Sequence, residues 1–267
     1  MQIFSVAGLR RLDEIVQPGL LCVFDFDGTL SPIVSQPDDA GLPADVLQRI
    51  LELLKLAPVA ILTGRSLADI RTRLGFEPDY VVGNHGLEGV PGWEWRATQF
   101  EDVCRSWSAA ILAALQDKAR FDPGITLEDK KFSLSVHYRM ARDPVQAEAR
   151  LAELFAGLMP PPRVISGKFV FSLLPKDGID KGSALQELLR ISGASSVIYV
   201  GDDVTDEDVF RLQRRDLLSV RVEKSHASAA EFYLARWQDI VSLLDELIRR
   251  LRETEGNAAP RASARKA

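Results

Sequence analysis

Two hydrophobic rhythms alternate along this chain. Short apolar runs, LCVF (21–24), VAIL (59–62) and SVIYV (196–200), each stop at a polar residue or glycine. Their length and β-forming residues predict buried strands. Helical spacing fills the stretches between them. Val46, Leu47, Ile50, Leu51 and Leu54 recur within 43–56, with Pro43 suited to the first turn, and residues 181–191 form another such segment. Ser66 and Asp69 predict a capped helix that stops at Gly75, and Tyr80–Val82 predicts a strand ending at Gly83-Asn84-His85-Gly86. Thr205 and Asp208 cap a helix whose Val209, Phe210 and Leu212 face inward, and Ile240, Leu243, Leu244, Leu247, Ile248 and Leu251 mark a last amphipathic helix. Strand–helix–strand order predicts a parallel sheet covered by helices, an α/β core.

The rhythm breaks near residue 100. A helix over 101–120, alternating strand segments over 125–139, a helix over 146–158 and a hairpin around Gly167 (164–174) are segregated rather than interleaved. That order predicts an α+β insertion. The expected organisation is a core of residues 1–103 and 175–253, an inserted cap of 104–174, and a disordered tail of 254–267, whose GNAAPRASARKA is small, polar and basic.

Composition narrows the function without naming it. A net charge of −5 excludes a general nucleic-acid binder, which is usually basic, so an anionic ligand needs local cations. No apolar run is long enough for a membrane span, and the first 15 residues lack a signal peptide's pattern. Two cysteines, Cys22 and Cys104, offer no disulfide or zinc framework, so a reduced, cytoplasmic protein is expected. The expected state is a monomer or weak dimer, although no sequence feature addresses it.

The chemistry lies where strands end. In DFDGTL (25–30), Asp25 and Asp27 follow the first apolar run two residues apart, on one face of an extended chain at its C-terminal end. A second acidic cluster, GDDVTDEDVF (201–210), opens where the 196–200 strand ends, with Gly201 read as permitting a tight turn. Carboxylates converging on one sheet edge repel one another unless a cation holds them. Oxygen donors, with three histidines and no cysteine cluster, favour Mg²⁺ over zinc. Glu207 and Asp208 read as helix-start acids favoured by the dipole. Thr63-Gly64 offers a hydroxyl and backbone N–H groups to a phosphate, and Lys181 an ammonium.

In that order, DFDGTL, Thr63, Lys181 and GDDVTD (201–206) resemble the four motifs of the haloacid dehalogenase superfamily of phosphohydrolases. ILTGRS, NHGLEG (84–89), LEDKKFSLSVHYR (127–139) and AAEFYL (229–234) are similar to those of the trehalose-6-phosphate phosphatases. The resemblance implies a Rossmann-like parallel-sheet core with an inserted α+β cap. It implies Mg²⁺-dependent hydrolysis of a phosphorylated disaccharide or glycoside, with trehalose 6-phosphate first and glucosylglycerol phosphate as an alternative. A phosphomutase or a catalytically silent regulatory domain are more distant alternatives. Asp25 is the implied nucleophile and Asp27 the general acid and base. Asp25, Asp27 (through its carbonyl), Asp202 and Asp203 are the implied metal ligands, with Asp206 orienting them. Thr63 and Lys181 hold the phosphate. Gly64, Arg65, His85, Glu128, Lys130 and Lys168 are placed with the substrate, His137 and Arg139 being weaker candidates. Ser172 and Leu174 depart from the family pattern, a glutamate being usual at the former, which leaves the sugar open.

Overall fold

The computed structural model describes residues 1–34, 37–176 and 179–256. Its core elements are α1 (Val6–Ile15), β1 (Leu20–Phe24), α2 (Ala44–Leu53), β2 (Val59–Leu62), α3 (Leu67–Arg71) and β3 (Tyr80–Val82). Next come α4 (Glu94–Ala114), β4 (Thr126–Asp129), β5 (Leu134–His137), α5 (Pro144–Ala156), β6 (Arg163–Gly167) and β7 (Val170–Leu174). The chain then returns through α6 (Lys181–Ser192), β8 (Ser196–Gly201), α7 (Glu207–Phe210), β9 (Leu217–Val222), β10 (Phe232–Leu234) and α8 (Asp239–Gly256). The α/β expectation holds. Helix α4 starts earlier than its sequence pattern suggests, because Glu94 to Phe100 continue it, so position 103/104 lies inside a helix. Residues 254–256 extend α8 rather than beginning a tail, and 257–267 lie outside the described residues.

Six strands form one sheet in the order β10-β9-β8-β1-β2-β3, every neighbouring pair parallel. Chain order runs outward from β1 to β3 on one side and from β8 to β10 on the other. The switch point therefore falls between β1 and β8, and a crevice opens beyond their C-terminal ends. Both faces are covered, which accounts for the unbroken apolar runs. Alternation sorts the side chains. Leu20, Cys22 and Phe24 pack with Leu12, Ile50, Leu244 and Leu247 from α1, α2 and α8. Leu21 and Val23 join Val197, Tyr199, Leu185 and Phe210 on the face covered by α6 and α7. By the same parity Asp25 belongs to the α6 side.

Between β3 and α6 lies a second, antiparallel sheet in the order β4-β5-β7-β6. Leu134, Val136, Phe171 and Leu173 on one of its faces pack against Trp107 and Ile111 of α4 and Leu151 and Phe155 of α5. The opposite face carries Glu128, Ser133, Ser135, His137, Ser172 and Leu174, and it meets the core at one row. Leu174 packs with Leu87 and Ile179, and Ser133 Oγ donates to Asn84 Oδ1 at 2.8 Å in a buried contact. Asn84 Nδ2 donates to Lys130 O at 3.1 Å and Glu88 Oε2 at 2.9 Å, so this wholly buried amide is fully used. At the other end of the row, Arg163 of β6 pairs with Asp208 of α7 at 2.7 Å.

Asn84 is thus a polar pin between the two sheets. Replacing it with Ala leaves the buried Ser133 hydroxyl without its acceptor, at about 1–3 kcal/mol, and leaves the Lys130 carbonyl with the Phe132 N–H at 2.9 Å as its remaining donor. We expect Asn84→Ala to lower the thermal midpoint and to increase proteolytic nicking near residues 130–133; an unchanged midpoint and nicking pattern would refute this.

Candidate active site

Asp25 stands one residue past β1, and its backbone N–H donates to Val200 O at 2.9 Å, extending the β1–β8 pairing. Its carboxylate is 4% exposed and meets Lys181, the first residue of α6. That helix start is held by Asp180, whose side chain accepts from Ser183 N at 2.7 Å. The Lys181 ammonium, 1% exposed, donates to Asp25 Oδ1 at 2.8 Å and to Asp206 Oδ1 at 2.7 Å. Burial opposes its charge, but the two carboxylates outweigh burial and hold the proton firmly. Burial pushes the Asp25 carboxyl well above the usual range, Lys181 opposing that shift and the charges of Asp206 and Asp202 adding to it.

Asp202 follows β8 across the switch point. Gly28, at φ +77°, makes its approach possible: a Cβ there would lie 2.1 Å from Asp202 Oδ2. Thr29 Oγ1 donates to Asp202 Oδ1 at 3.3 Å. Burial, followed by the charges of Asp206 and Asp203, pushes its carboxyl up to about 7. Asp206 is wholly buried and saturated. Its Oδ1 accepts from Lys181 at 2.7 Å and from Tyr199 Oη at 2.6 Å, and its Oδ2 from the backbone N–H groups of Asp202 and Asp203 at 2.8 Å each.

Carboxylate oxygens of Asp25, Asp202 and Asp206 lie within 4.8 Å of one another, the acidic group that fits a divalent cation. Because four donors occupy Asp206, Asp25 and Asp202 retain the capacity to ligate. An under-compensated buried carboxylate and an all-oxygen donor set suit a hard cation. Asp203, expected as a further ligand, lies outside this group: it is exposed and starts the turn 204–206.

Asp27 is held differently. Arg65 Nε donates to its Oδ2 at 2.6 Å and Arg65 Nη2 to its Oδ1 at 2.7 Å, a two-pronged grip. Arg65 Nη1 reaches Asp69 Oδ2 at 2.6 Å, while Asp69 Oδ1 takes Arg73 at 2.7 Å. Arg65, expected on the substrate, thus meets the acid–base candidate Asp27. Thr63 is buried at the end of β2, its Oγ1 accepting from Arg65 N at 3.2 Å. Gly64 makes room for His85, whose Cε1 is 2.3 Å from where a Cβ would stand. Burial, then Lys181, Lys130 and Arg163, push the His85 imidazole well below its ordinary range, so it is neutral, and its buried Nδ1 has no hydrogen-bond partner among the described residues.

On the second sheet, Glu128 Oε2 takes His137 Nε2 at 3.0 Å and has Lys130 Nζ at 3.9 Å. The hydrogen bond to His137 lowers the Glu128 carboxyl. Lys168 is exposed in the turn between β6 and β7. Ser172 pairs with Ser135 and shares the face of Ser133, the face that meets the core.

Several contributors were not apparent from residue type. Tyr199 reads as one more apolar strand residue, although its i+2 spacing from Gly201 is visible in the sequence. Gly201 serves close approach rather than a tight turn: a Cβ would sit 2.3 Å from Asp206 Cγ. Glu207 and Asp208 are not merely dipole-stabilising acids. Glu207, 6% exposed, accepts from Ala229 N at 2.9 Å, and Asp208 joins the second sheet through Arg163.

Known proteins resemble this chain over most of its length. Residues 23–236 match the trehalose-phosphatase family model. The chain is 36% identical to the trehalose-phosphate phosphatase of Mycobacterium tuberculosis (strain H37Rv), over 93% of this chain and 66% of that protein. It is 38% identical to that of Mycobacterium avium (strain 104), over 70% of this chain and 49% of that protein, so it spans from half to about two-thirds of these relatives. Among solved structures, a trehalose-6-phosphate phosphatase related protein aligns with TM-score 0.70 at 23% identity, covering 88% of this chain and 99% of the other. The C. albicans trehalose-6-phosphate phosphatase C-terminal domain aligns at 0.66 and 22%, covering 90% and 95%. These two share the fold. On the match over residues 23–236 and the mycobacterial identity, this chain belongs to the trehalose-phosphatase family.

Proposed function

We propose that this chain hydrolyses a sugar phosphate monoester, trehalose 6-phosphate being the first candidate, through a phosphoryl group carried on Asp25. One observation carries the reading. A buried carboxylate at the sheet's switch point is held by one oxygen to Lys181, in reach of Asp202, with Asp27 two residues on. With Oδ1 engaged by Lys181, Oδ2 of Asp25 is the atom to attack phosphorus. The ester oxygen leaves as the new bond forms, and a sugar alkoxide needs a proton. Asp27 gives that proton and then takes one from the water that cleaves the acyl phosphate.

Arg65 constrains this cycle. Both Asp27 oxygens accept from a guanidinium that does not give up its charge, so protonating Asp27 requires one of the two bonds to open. Lys181, Thr63 and the backbone at Gly64 are suited to the phosphate oxygens. Asp25, Asp202 and the Asp27 carbonyl are the residues to hold Mg²⁺, which when bound offsets repulsion between the carboxylate and the phosphate dianion.

The second sheet is read as the sugar-selecting cap, covering residues 104–174. Glu128, His137 and Lys130 supply hydrogen-bonding groups on its core-facing side, and Lys168 its turn. The same side carries Ser172 where a carboxylate is usual, which favours a second reading with another glycosyl phosphate such as glucosylglycerol phosphate. Cysteines free and buried suit a reduced, cytoplasmic setting.

Phosphate release with Mg²⁺ should be fastest on trehalose 6-phosphate across a panel of phosphorylated mono- and disaccharides, and Asp25→Asn should lower it at least about a thousandfold. Higher kcat/KM on a different sugar phosphate overturns the substrate; full turnover by the Asn variant overturns the mechanism.

The raised Asp202 carboxyl means the metal-free folded chain holds a proton the unfolded chain has lost. Stability therefore falls as pH rises from the unfolded value near 4 to about 7 and levels off above it. In EDTA, Asp202→Asn should be more stable than the parent, with a larger gain at pH 8 than at pH 5. Mg²⁺ should raise the parent's melting temperature at pH 8 and leave the variant's unchanged. An equal gain at both pH values would refute the assignment.

A further inference from the structure

Tyr199 sits inside β8, wholly buried, on the face that α6 covers. Two positions on, Gly201 shares that face by strand parity. The carboxylate of Asp206 fills the space above Gly201, its Cγ 2.3 Å from where a Cβ would stand, and Tyr199 Oη donates to its Oδ1 at 2.6 Å. Adjacent same-face positions thus form a socket: one omits a side chain so that the carboxylate fits, and the other donates a hydrogen bond to it. The ring is fixed edge-on against Phe210, centroids 5.9 Å apart at 69°. Asp206 Oδ1 is shared between two donors, Tyr199 Oη and Lys181 Nζ, and the same ammonium spans 2.8 Å to Asp25 Oδ1. The connected groups run Tyr199, Asp206, Lys181, Asp25.

We infer that Tyr199 is a positioning residue for phosphoryl transfer: its hydroxyl fixes Asp206, and through it the direction in which Lys181 presents its ammonium at Asp25. The inference rests on the phosphatase reading above. Without the hydroxyl, the shared oxygen keeps Lys181 as its one side-chain donor, and the carboxylate draws the ammonium toward itself. Asp206 keeps three donors in Tyr199→Phe, and Phe retains the ring that packs on Phe210, so the variant preserves the fold. What it loses is aim. Lys181 is already ion-paired before substrate arrives, so misdirection affects the transition state, where charge on the transferring phosphoryl oxygens must be met by a preorganised donor.

The test compares parent and Tyr199→Phe, each loaded with Mg²⁺, on the best sugar phosphate from the panel. Orthovanadate serves as probe of the five-coordinate phosphoryl geometry. Expected are a fall of about 10–100-fold in kcat, the range for loss of a residue that orients ligands, an equal fall in orthovanadate affinity, and a KM within about two-fold of the parent. In an Asp206→Ala background, which has no side-chain acceptor for the hydroxyl, the same Tyr→Phe change should produce no additional loss. A role in folding alone predicts a lower melting temperature with kcat and orthovanadate affinity unchanged, and that result overturns the inference. An undiminished loss in the Asp206→Ala background also overturns it, because the hydroxyl then acts by another route. Failure here is separable from failure of the phosphatase reading, which Asp25→Asn tests independently.

Discussion

One buried ammonium organises this molecule. Lys181 is 1% exposed between Asp25 and Asp206, and burying three charges is tolerable only where each finds partners. Lys181 supplies two of those contacts, and Tyr199 with two backbone N–H groups completes the shell of Asp206. Removing one partner from such a group strands a charge, so these side chains constrain one another more than they add stability. Their neighbours follow from that constraint. Gly201 is bare because the Asp206 carboxylate occupies its side-chain space, and Gly28 is bare because Asp202 does the same above the β1 turn.

The arrangement shows how acids so close can serve different ends. Asp206 accepts four hydrogen bonds and is an organiser. Asp25 has Oδ1 engaged by Lys181, and no described residue donates to its Oδ2. Asp202 accepts a long contact from Thr29, and burial with the charges of Asp206 and Asp203 raises its carboxyl. Asp27, outside this group, is gripped by Arg65, which ties it through Asp69 to Arg73. Identical side chains are thus distinguished by their donors.

The second sheet contributes by being fixed to the first along one row. Ser133, Leu174 and Arg163 meet Asn84, the Leu87–Ile179 cluster and Asp208 respectively, so a hydrogen bond, apolar packing and an ion pair act along one edge. This row directs the face of Glu128, Ser135 and Ser172 toward the core. It also places Arg163 and Lys130 near enough to His85 to help keep that imidazole neutral.

Much of this is legible in residue order. Apolar runs locate β1, β2 and β8, helical spacing locates α2, α6 and α8, and the break near residue 100 locates the second sheet, because burial on a given face requires a given period. The strand-end carboxylates mark the site because burying charge at a sheet edge is costly unless a cation or a reaction makes use of it. Strands β9 and β10 and helix α1 do not stand out, being short or of mixed polarity, and Tyr199 is indistinguishable from its apolar neighbours. Sequence alone determined which acids stand at strand ends and which residues could hold a phosphate. Only the tertiary structure decided that Arg65 grips Asp27, that Asp206 is saturated, that Asp203 faces solvent, and that Gly201 is a socket rather than a turn. The reason is that hydrogen-bond partners such as Lys181 and Asp25 lie 156 residues apart, and no local pattern specifies which donor reaches which oxygen.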